Sequence, residues 1–186
     1  MITNLKELIL YIKEDKKRNM VNCTPIYLML EPVLALFGAV YESYYIRKYL
    51  RTLRILEFLI NKGWGIKIFY KIKWKRLSNK YQIYIQPNTV GKGLYIPHFN
   101  GGIQLNCFSM DDYCTVTSGV VIGNKGSQKN RATIGNNVSF TVGSKAIGKI
   151  TIGDNVIICP NSVIIENIPA NAIVSGVPAK IIKIKE

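Results

Sequence analysis

The chain has 186 residues, of which 48% are apolar and 19% charged, and it carries a formal net charge of +14 at pH 7. A chain of this length and apolar content can bury a full core, which excludes an intrinsically disordered protein. The charge leaves three classes of partner: nucleic acid, an anionic membrane surface or a phosphorylated small molecule. Residues 1–80 hold 16 basic and 6 acidic side chains against 9 and 5 in residues 81–186, so most of the positive charge lies in the first half.

Cysteine and histidine usage argues against a metal site and for a reducing compartment. The four cysteines form no CxxC pair and have a single histidine to help them, so we expect no zinc. The first 17 residues, MITNLKELILYIKEDKK, contain Glu7 and lack the order of a signal peptide. We therefore expect a cytoplasmic protein with reduced thiols.

The segment PIYLMLEPVLALFGAVY, residues 25–41, is strongly apolar but does not predict a membrane span. It is 17 residues long and Glu31-Pro32 interrupts it, whereas a spanning helix needs about 20 unbroken apolar residues.

A helix rich in Tyr, Lys and Arg is predicted to follow. One apolar stripe recurs at spacings of three and four, with Ile46 one step off the pattern; its members are Ile46, Leu50, Leu53, Leu56 and Ile60. The stripe could pack on the chain's own domain or on a neighbouring subunit. Alternatively, residues 25–76 could make a peripheral contact with an anionic membrane, where basic and aromatic side chains favour the interface. Nucleic acid is not expected, because no known nucleic-acid motif accompanies the charge.

The second half repeats every six residues. Aliphatic or similar residues stand at positions 110, 116, 122, 134, 140, 146, 152, 158 and 164, and small or β-branched residues fill the fifth place of several hexads: Cys114, Val120, Val138, Ser144, Val156 and Ser162. Only the hexad at Gln128 breaks the series. Six residues are three strand periods and no helical period, so the pattern predicts a prism of short strands and turns, three hexads to a coil. Asn and Gly in IGNN and IGDN are expected at the corners.

These hexads, with the preceding VGKGLYIPHFNGG and the closing IPANAIVSGVPAKIIK, resemble the hexapeptide-repeat acyltransferases. Within that family the resemblance is to the serine acetyltransferase type and its relatives that acetylate sugars and polysaccharides. It covers residues 83–183 and implies a mainly β fold: a left-handed parallel β-helix over residues 81–186, usually a homotrimer, with a short C-terminal extension. Residues 1–80 form a basic, aromatic helical region outside the resemblance.

The resemblance assigns a role to the single histidine. The stretch G-(I/L)-x-(I/L)-x-H is matched by Gly93, Leu94, Ile96 and His98, and the family's histidine there is the general base. An imidazole, which titrates near neutral pH, suits the removal of a proton from a hydroxyl that attacks a thioester. The implied acyl donor is acetyl-CoA, with a backbone N–H stabilising the oxyanion.

The family holds CoA in a groove between adjacent β-helices, with small residues and backbone amides. The corresponding positions are Gly123, Val142, Gly143, Ser144 and Pro160. Three basic residues are predicted to meet the nucleotide phosphates: Lys145, Lys180 and Lys183.

Three departures from serine acetyltransferases concern the acceptor. The carboxylate that orients the family's histidine is replaced by Tyr84, a second one by Pro97, and the family's second histidine aligns with Asn130. These losses predict a larger, less charged acceptor, such as a sugar hydroxyl of a surface polysaccharide or its precursor. The residues predicted to face the acceptor are Tyr84, Asn100, Asn130 and Arg131.

Two alternatives stay open. The acceptor could be serine, as in cysteine biosynthesis, or the chain could be a non-catalytic trimeric scaffold, because the orienting carboxylate is missing. The hexapeptide-repeat carbonic anhydrases need three histidine ligands for zinc, and one histidine excludes that reading.

Overall fold

A computed structural model describes residues 1–20, 24–36 and 41–186. Four helices precede the β structure: α1 (Leu5–Arg18), α2 (Pro25–Leu36), α3 (Glu42–Asn61) and α4 (Lys67–Tyr81). Asn4 begins α1 as a capping box, since its side chain accepts from the Glu7 N–H while the Glu7 carboxylate accepts from the Asn4 N–H. Across the described ranges, no helix is both long and apolar enough to cross a membrane.

The remaining chain winds into a parallel β-helix with three flat faces. The first face contains β1 (Ile83–Ile85), β2 (Ile103–Leu105), β5 (Val121–Gly123), β8 (Lys145–Ile147) and β11 (Val163–Ile164). The second contains β3 (Ser109–Met110), β6 (Thr133–Ile134) and β9 (Thr151–Ile152). The third contains β4 (Thr115–Val116), β7 (Ser139–Phe140), β10 (Ile157–Ile158) and β12 (Ala172–Gly176), with β13 (Ala179–Ile184) pairing antiparallel to β12 as the C-terminal extension.

The hexad positions fill the inside of the prism, as the sequence predicts. All nine leading residues, from Met110 to Ile164, are at most 2% exposed, and the six fifth-place residues are buried as well. A side chain on each short strand points inward while its neighbours point out, so every coil contributes one layer to a continuous aliphatic core.

The coils are 18 residues long except where a loop lengthens them. Ile134 pairs with Ile152 and Phe140 with Ile158, whereas Val116 pairs with Phe140, 24 residues away. The extra hexad is the loop of residues 124–131, which protrudes between β5 and β6. This loop explains the break in the repeat at Gln128.

Residues at the corner between the second and third faces have left-handed backbone. The φ angle is 54° at Asn137, 58° at Asn155 and 62° at Asn171. The Asn137 amide donates to the Asn155 carbonyl oxygen at 3.0 Å, and Asn155 donates likewise to Asn171 at 3.0 Å. Asparagine therefore supplies the corner conformation as predicted, and its side chain ties successive coils together.

Helices α1 and α3 are fixed to the first coil through a buried ion cluster. Arg54, fully buried in α3, donates to Asp15 at 2.7 Å, to Glu57 at 3.0 Å and to the carbonyl oxygen of Val90 at 2.8 Å. Asp15 in turn accepts from the backbone N–H of Leu94 at 3.1 Å. The helices are thus attached to the β-helix by polar contacts that satisfy buried backbone groups as well as by apolar packing.

The predicted apolar stripe on α3 is largely confirmed. Ile46, Leu50, Leu53 and Leu56 are at most 1% exposed, and the first three belong to the core that continues into the β-helix. Ile60 was wrongly included, because it is 37% exposed at the end of the helix. The stripe therefore packs within the chain itself.

Candidate active site

His98 lies in the loop that connects the third face to β2. We call this edge the glycine corner; it comprises residues 97–102, 117–119, 141–143 and 159–161 on successive coils. The Phe99 ring packs beside Tyr81, with ring centroids 5.7 Å apart, and Tyr81 packs beside Tyr45 of α3 at 5.3 Å. The loop is therefore anchored on the helices on one side while the His98 side chain remains 74% exposed.

Glu42, the first residue of α3, contacts the imidazole. Its Oε2 lies 2.9 Å from His98 Nδ1, and its Oε1 accepts a hydrogen bond from Asn100 Nδ2 at 2.6 Å. The sequence analysis left the partner of this nitrogen open after finding Tyr84 in place of the family's carboxylate. Tyr84 does not serve, because its hydroxyl is directed to Asn79 Oδ1 at 3.4 Å.

This contact defines what the imidazole can do. An ionised carboxylate only accepts, so Nδ1 carries the proton and Nε2 keeps a free lone pair. The carboxylate also stabilises the imidazolium that forms when Nε2 takes up a proton. His98, Glu42 and Asn100 together therefore form a histidine base with an orienting acid that is itself held in place.

Several of the residues predicted to bind CoA lie on the same corner as His98. Val142 is 50% exposed and Pro160 is exposed on the next coil. The Gly143 N–H, by contrast, donates to the Ser118 carbonyl oxygen at 2.9 Å. It is committed to the coil, so it does not supply the oxyanion donor within this chain.

Ser144 does not fit its predicted role as a CoA contact. Its side chain is fully buried, and its hydroxyl donates to the Thr141 carbonyl oxygen at 2.7 Å. Ser144 occupies the fifth place of its hexad, which is an inward position, and its hydroxyl closes the turn at the glycine corner. It stabilises the corner from inside and has no surface to offer a ligand.

Two other predicted site residues share a row on the outer side of the first face. Strand pairing aligns Tyr84 with Gln104, Gln104 with Val121 and Val121 with Lys145. Lys145 Nζ reaches back to the Gly143 carbonyl oxygen at 2.9 Å, beside the glycine corner. Gly123, two positions beyond Val121, lies at the opposite edge of this face.

The two lysines near the C-terminus lie on the β12–β13 hairpin. Lys180 Nζ is 3.6 Å from the Glu166 carboxylate, and both side chains are about two-thirds exposed. Lys183 is exposed and pairs in register with Ile173. Neither lysine is fixed by a buried partner, and both are free to meet an anionic ligand.

Asn130 and Arg131 lie on another edge, which we call the loop corner; it comprises residues 86–89, 106–108, 124–132, 148–150 and 165–167. The Asn130 amide donates to the Lys125 carbonyl oxygen at 3.0 Å, and the Arg131 guanidinium donates to the Gln128 and Cys107 carbonyl oxygens at 2.7 and 3.3 Å. The first face separates this corner from His98. One chain therefore does not bring Asn130 and Arg131 together with the histidine.

Comparison with known proteins follows the same lines. The chain is 36% identical over 95 residues to a serine acetyltransferase of Synechococcus elongatus, which is 50% of this chain and 39% of that protein. It is also 36% identical over 104 residues to a serine acetyltransferase of Staphylococcus epidermidis, covering 54% of this chain and 49% of the other. This chain thus spans half or less of the length of the curated relatives that it matches. No family model matches the sequence.

A solved structure extends the similarity to the helices. The crystal structure of serine acetyltransferase from Brucella abortus in complex with coenzyme A superposes on 98% of this chain and 70% of its own, with a TM-score of 0.74 and 27% sequence identity. The fold is therefore the hexapeptide-repeat β-helix with an attached helical region. Within that class the chain is of the serine acetyltransferase type, and the resemblance inferred from the hexads is confirmed.

Sequence reasoning missed Glu42. The residue is the only acid between Glu31 and Glu57, and it begins a helix, where a carboxylate is favoured electrostatically. Nothing in a repeat pattern links a helix start to a loop 56 residues later, so only the docking of α3 reveals the pair.

Proposed function

We propose that the chain is an acetyl-CoA-dependent O-acetyltransferase with His98 as its general base. The observation that carries the proposal is the Glu42–His98 pair, with 2.9 Å between carboxylate and imidazole, on an exposed corner of a serine acetyltransferase-type β-helix. A scaffold without catalysis would have no need of an exposed histidine whose tautomer is set by an acid.

The proposed reaction is direct transfer. The acceptor hydroxyl gives its proton to His98 Nε2 while its oxygen attacks the thioester carbon of acetyl-CoA. The carbon–sulfur bond then breaks, and the imidazolium returns the proton to the leaving thiolate to give CoA and the acetyl ester. Glu42 holds the imidazole in the productive tautomer throughout and balances its transient positive charge.

L-Serine is the acceptor that the relatives favour, since the proteins named above are serine acetyltransferases. The structure removes one argument against it. Tyr84 replaces the family's orienting carboxylate, but Glu42 restores a carboxylate at the imidazole from another part of the chain. The loss at position 84 therefore does not by itself require an uncharged acceptor.

A sugar hydroxyl is the second candidate, because two departures remain. Pro97 stands where the family has an acid, and Asn130 stands where it has a second histidine. Both changes remove charged groups that suit a zwitterionic amino acid. An acceptor in a surface polysaccharide or its precursor would not need them.

The assembly that we propose is a homotrimer with the groove for CoA between adjacent β-helices. His98 and the exposed Val142 lie on the glycine corner, whereas Arg131 lies on the loop corner across the first face. Packing one corner against the other corner of the next copy would unite them. We place the protein in the cytoplasm, at the inner face of a membrane.

Release of CoA thiol from acetyl-CoA tests the function, with L-serine and a panel of sugars and glycans offered as acceptors. We expect acceptor-dependent release that falls by at least about 10³-fold in His98→Ala. Serine-dependent release would establish the first acceptor, and release with glycans alone would establish the second. Purified protein that binds no CoA in calorimetry would contradict both enzymatic readings.

Asn106→Ala is the matched control for His98→Ala. Asn106 is a polar residue of the loop corner whose side chain contacts Gln86 at 3.1 Å. Its replacement is expected to leave CoA release within about twofold, as for most surface substitutions. Equal losses in the two variants would point to unfolding.

A further inference from the structure

Helix α4 has one side packed against the protein and another side that faces out. Tyr70, Trp74, Leu77 and Tyr81 recur at spacings of four, three and four, and they pack against α3 and the core. This set accounts for the whole inward stripe that a helix of 15 residues needs. The remaining apolar residues of α4 therefore have no place in the core.

Those remaining residues are large and exposed. Ile68, Phe69 and Ile72 are 55%, 70% and 47% exposed on the outward side, and Trp64 and Ile66 in the turn before the helix are 54% and 53% exposed. We call residues 62–76 the α4 surface. Clustered apolar side chains of this size mark contact sites, whereas single exposed ones do not.

The α4 surface is also purely basic. It carries six exposed cations and no acid: Lys62, Lys67, Lys71, Lys73, Lys75 and Arg76. No Asp or Glu occurs between Glu57 and Asp111, so no nearby acidic residue along the sequence offsets the charge. An occupant of this surface must be apolar and anionic at once.

A second copy of the chain is poorly matched to these requirements. The chain carries a net charge of +14, so self-association through this surface would bring like charges together. Nucleic acid would neutralise the lysines but would leave three isoleucines without apolar partners. A bilayer with anionic headgroups satisfies both requirements, because aliphatic and aromatic side chains insert below headgroups that the lysines contact.

We propose that the α4 surface docks the protein on an anionic lipid bilayer, with Phe69, Ile68 and Ile72 inserted at the interface. The cations of residues 62–76 attract the lipid phosphates, and the apolar side chains fix the depth. Binding by this surface does not depend on the acetyltransferase activity proposed above.

Vesicle sedimentation tests the proposal with the full-length protein. The probes are vesicles of phosphatidylcholine alone and of phosphatidylcholine mixed with phosphatidylglycerol. We expect partitioning into the anionic vesicles to exceed that into neutral ones by at least about tenfold, and to fall as NaCl is raised. Equal partitioning into both kinds of vesicle, or none into either, would overturn the proposal.

Matched variants locate the contact. Phe69→Ser with Ile72→Ser is expected to lower anionic partitioning at least about tenfold, whereas Phe108→Ser with Ile165→Ser, at 63% and 53% exposure on the loop corner, leaves it within about twofold. Likewise Lys67, Lys71 and Lys73 changed to Gln should release the protein, whereas Lys125, Lys129 and Lys149 changed to Gln should not.

Two further readings keep the test decisive. Unchanged urea midpoints in the α4 variants would show that lost partitioning is not unfolding. If the α4 variants instead keep vesicle binding but change the sedimentation mass, the surface is a contact between copies and the lipid proposal is wrong. Equal effects of the α4 and loop-corner variants would also overturn it. CoA release in the absence of vesicles reports separately on the proposed activity.

Discussion

Glu42 and His98 depend on each other through a single 2.9 Å contact at the surface, where Glu42 is otherwise partly exposed. We predict that Glu42→Gln lowers kcat by about 10²-fold or more with little change in the KM for acetyl-CoA, because the amide no longer fixes the tautomer or balances the imidazolium. Steady-state kinetics with and without the substitution measure this split.

Asn100→Ala is the companion measurement. It removes the 2.6 Å hydrogen bond to the other carboxylate oxygen and leaves the carboxylate in place, so a smaller loss of about threefold to tenfold in kcat is expected. If Glu42→Gln retains kcat within twofold while His98→Ala is inactive, Glu42 is a structural neighbour and does not position the base.

Buried cysteines give a second prediction at this scale. Burial raises the pKa of Cys107 to about 11 and that of Cys114 to about 12. At pH 8 only ~10⁻³ and ~10⁻⁴ of these thiols are thiolate, so native protein should not be alkylated there. Cys159 is partly exposed and should react; Cys23 lies outside the described residues.

Mass spectrometry of peptides after iodoacetamide treatment measures this order of labelling. Protein unfolded in urea should be labelled at Cys107 and Cys114 as fast as at Cys159. Rapid labelling of Cys114 in native protein would show that the inward hexad position opens in solution.

At the scale of the element, Arg54 is the residue on which the attachment of α1 and α3 most depends. We predict that Arg54→Met lowers the free energy of unfolding by about 3–5 kcal/mol, because Asp15 and Glu57 are then buried without a counter-charge. Urea denaturation measures the loss. Arg51→Met, on the exposed side of the same helix, should change stability by no more than about 0.5 kcal/mol.

A large loss in both variants would mean that helix α3 is sensitive to any arginine replacement. A small loss in both would mean that the buried acids find protons or water when Arg54 is absent. Double replacement of Asp15 and Arg54 by Asn and Met distinguishes these cases, since removing both charges should cost less than removing one.

The elements also show how far a sequence can be interpreted. The β-helix could be predicted because each inward residue repeats at a fixed interval, and all nine predicted core positions are buried. Ser144 was misassigned because a periodic pattern marks which residues face inward, while a family motif marks a stretch without separating side chain from backbone. The Glu42 contact depends on a tertiary docking of α3 that leaves no local signal.

At the scale of the whole molecule, the predicted site residues divide between two edges. His98 lies on the glycine corner and Arg131 on the loop corner, and a strand of three residues, about 10 Å, separates the two edges on the first face. One acceptor bound in a single chain therefore does not reach both. If both act on it, they come from adjacent copies, as the proposed trimer requires.

Mixed assemblies give the last prediction. His98→Ala and Arg131→Ala homomers should each lose activity, the second by about tenfold or more. In hybrids mixed at equal ratio, about one quarter of the sites combine His98 from one copy with Arg131 from the next, and about that fraction of activity should return. Sedimentation equilibrium should give three times the 21.0 kDa chain mass in every case. Hybrids that assemble without regaining activity would place both residues' work within one copy, and a monomeric mass would rule out the shared groove.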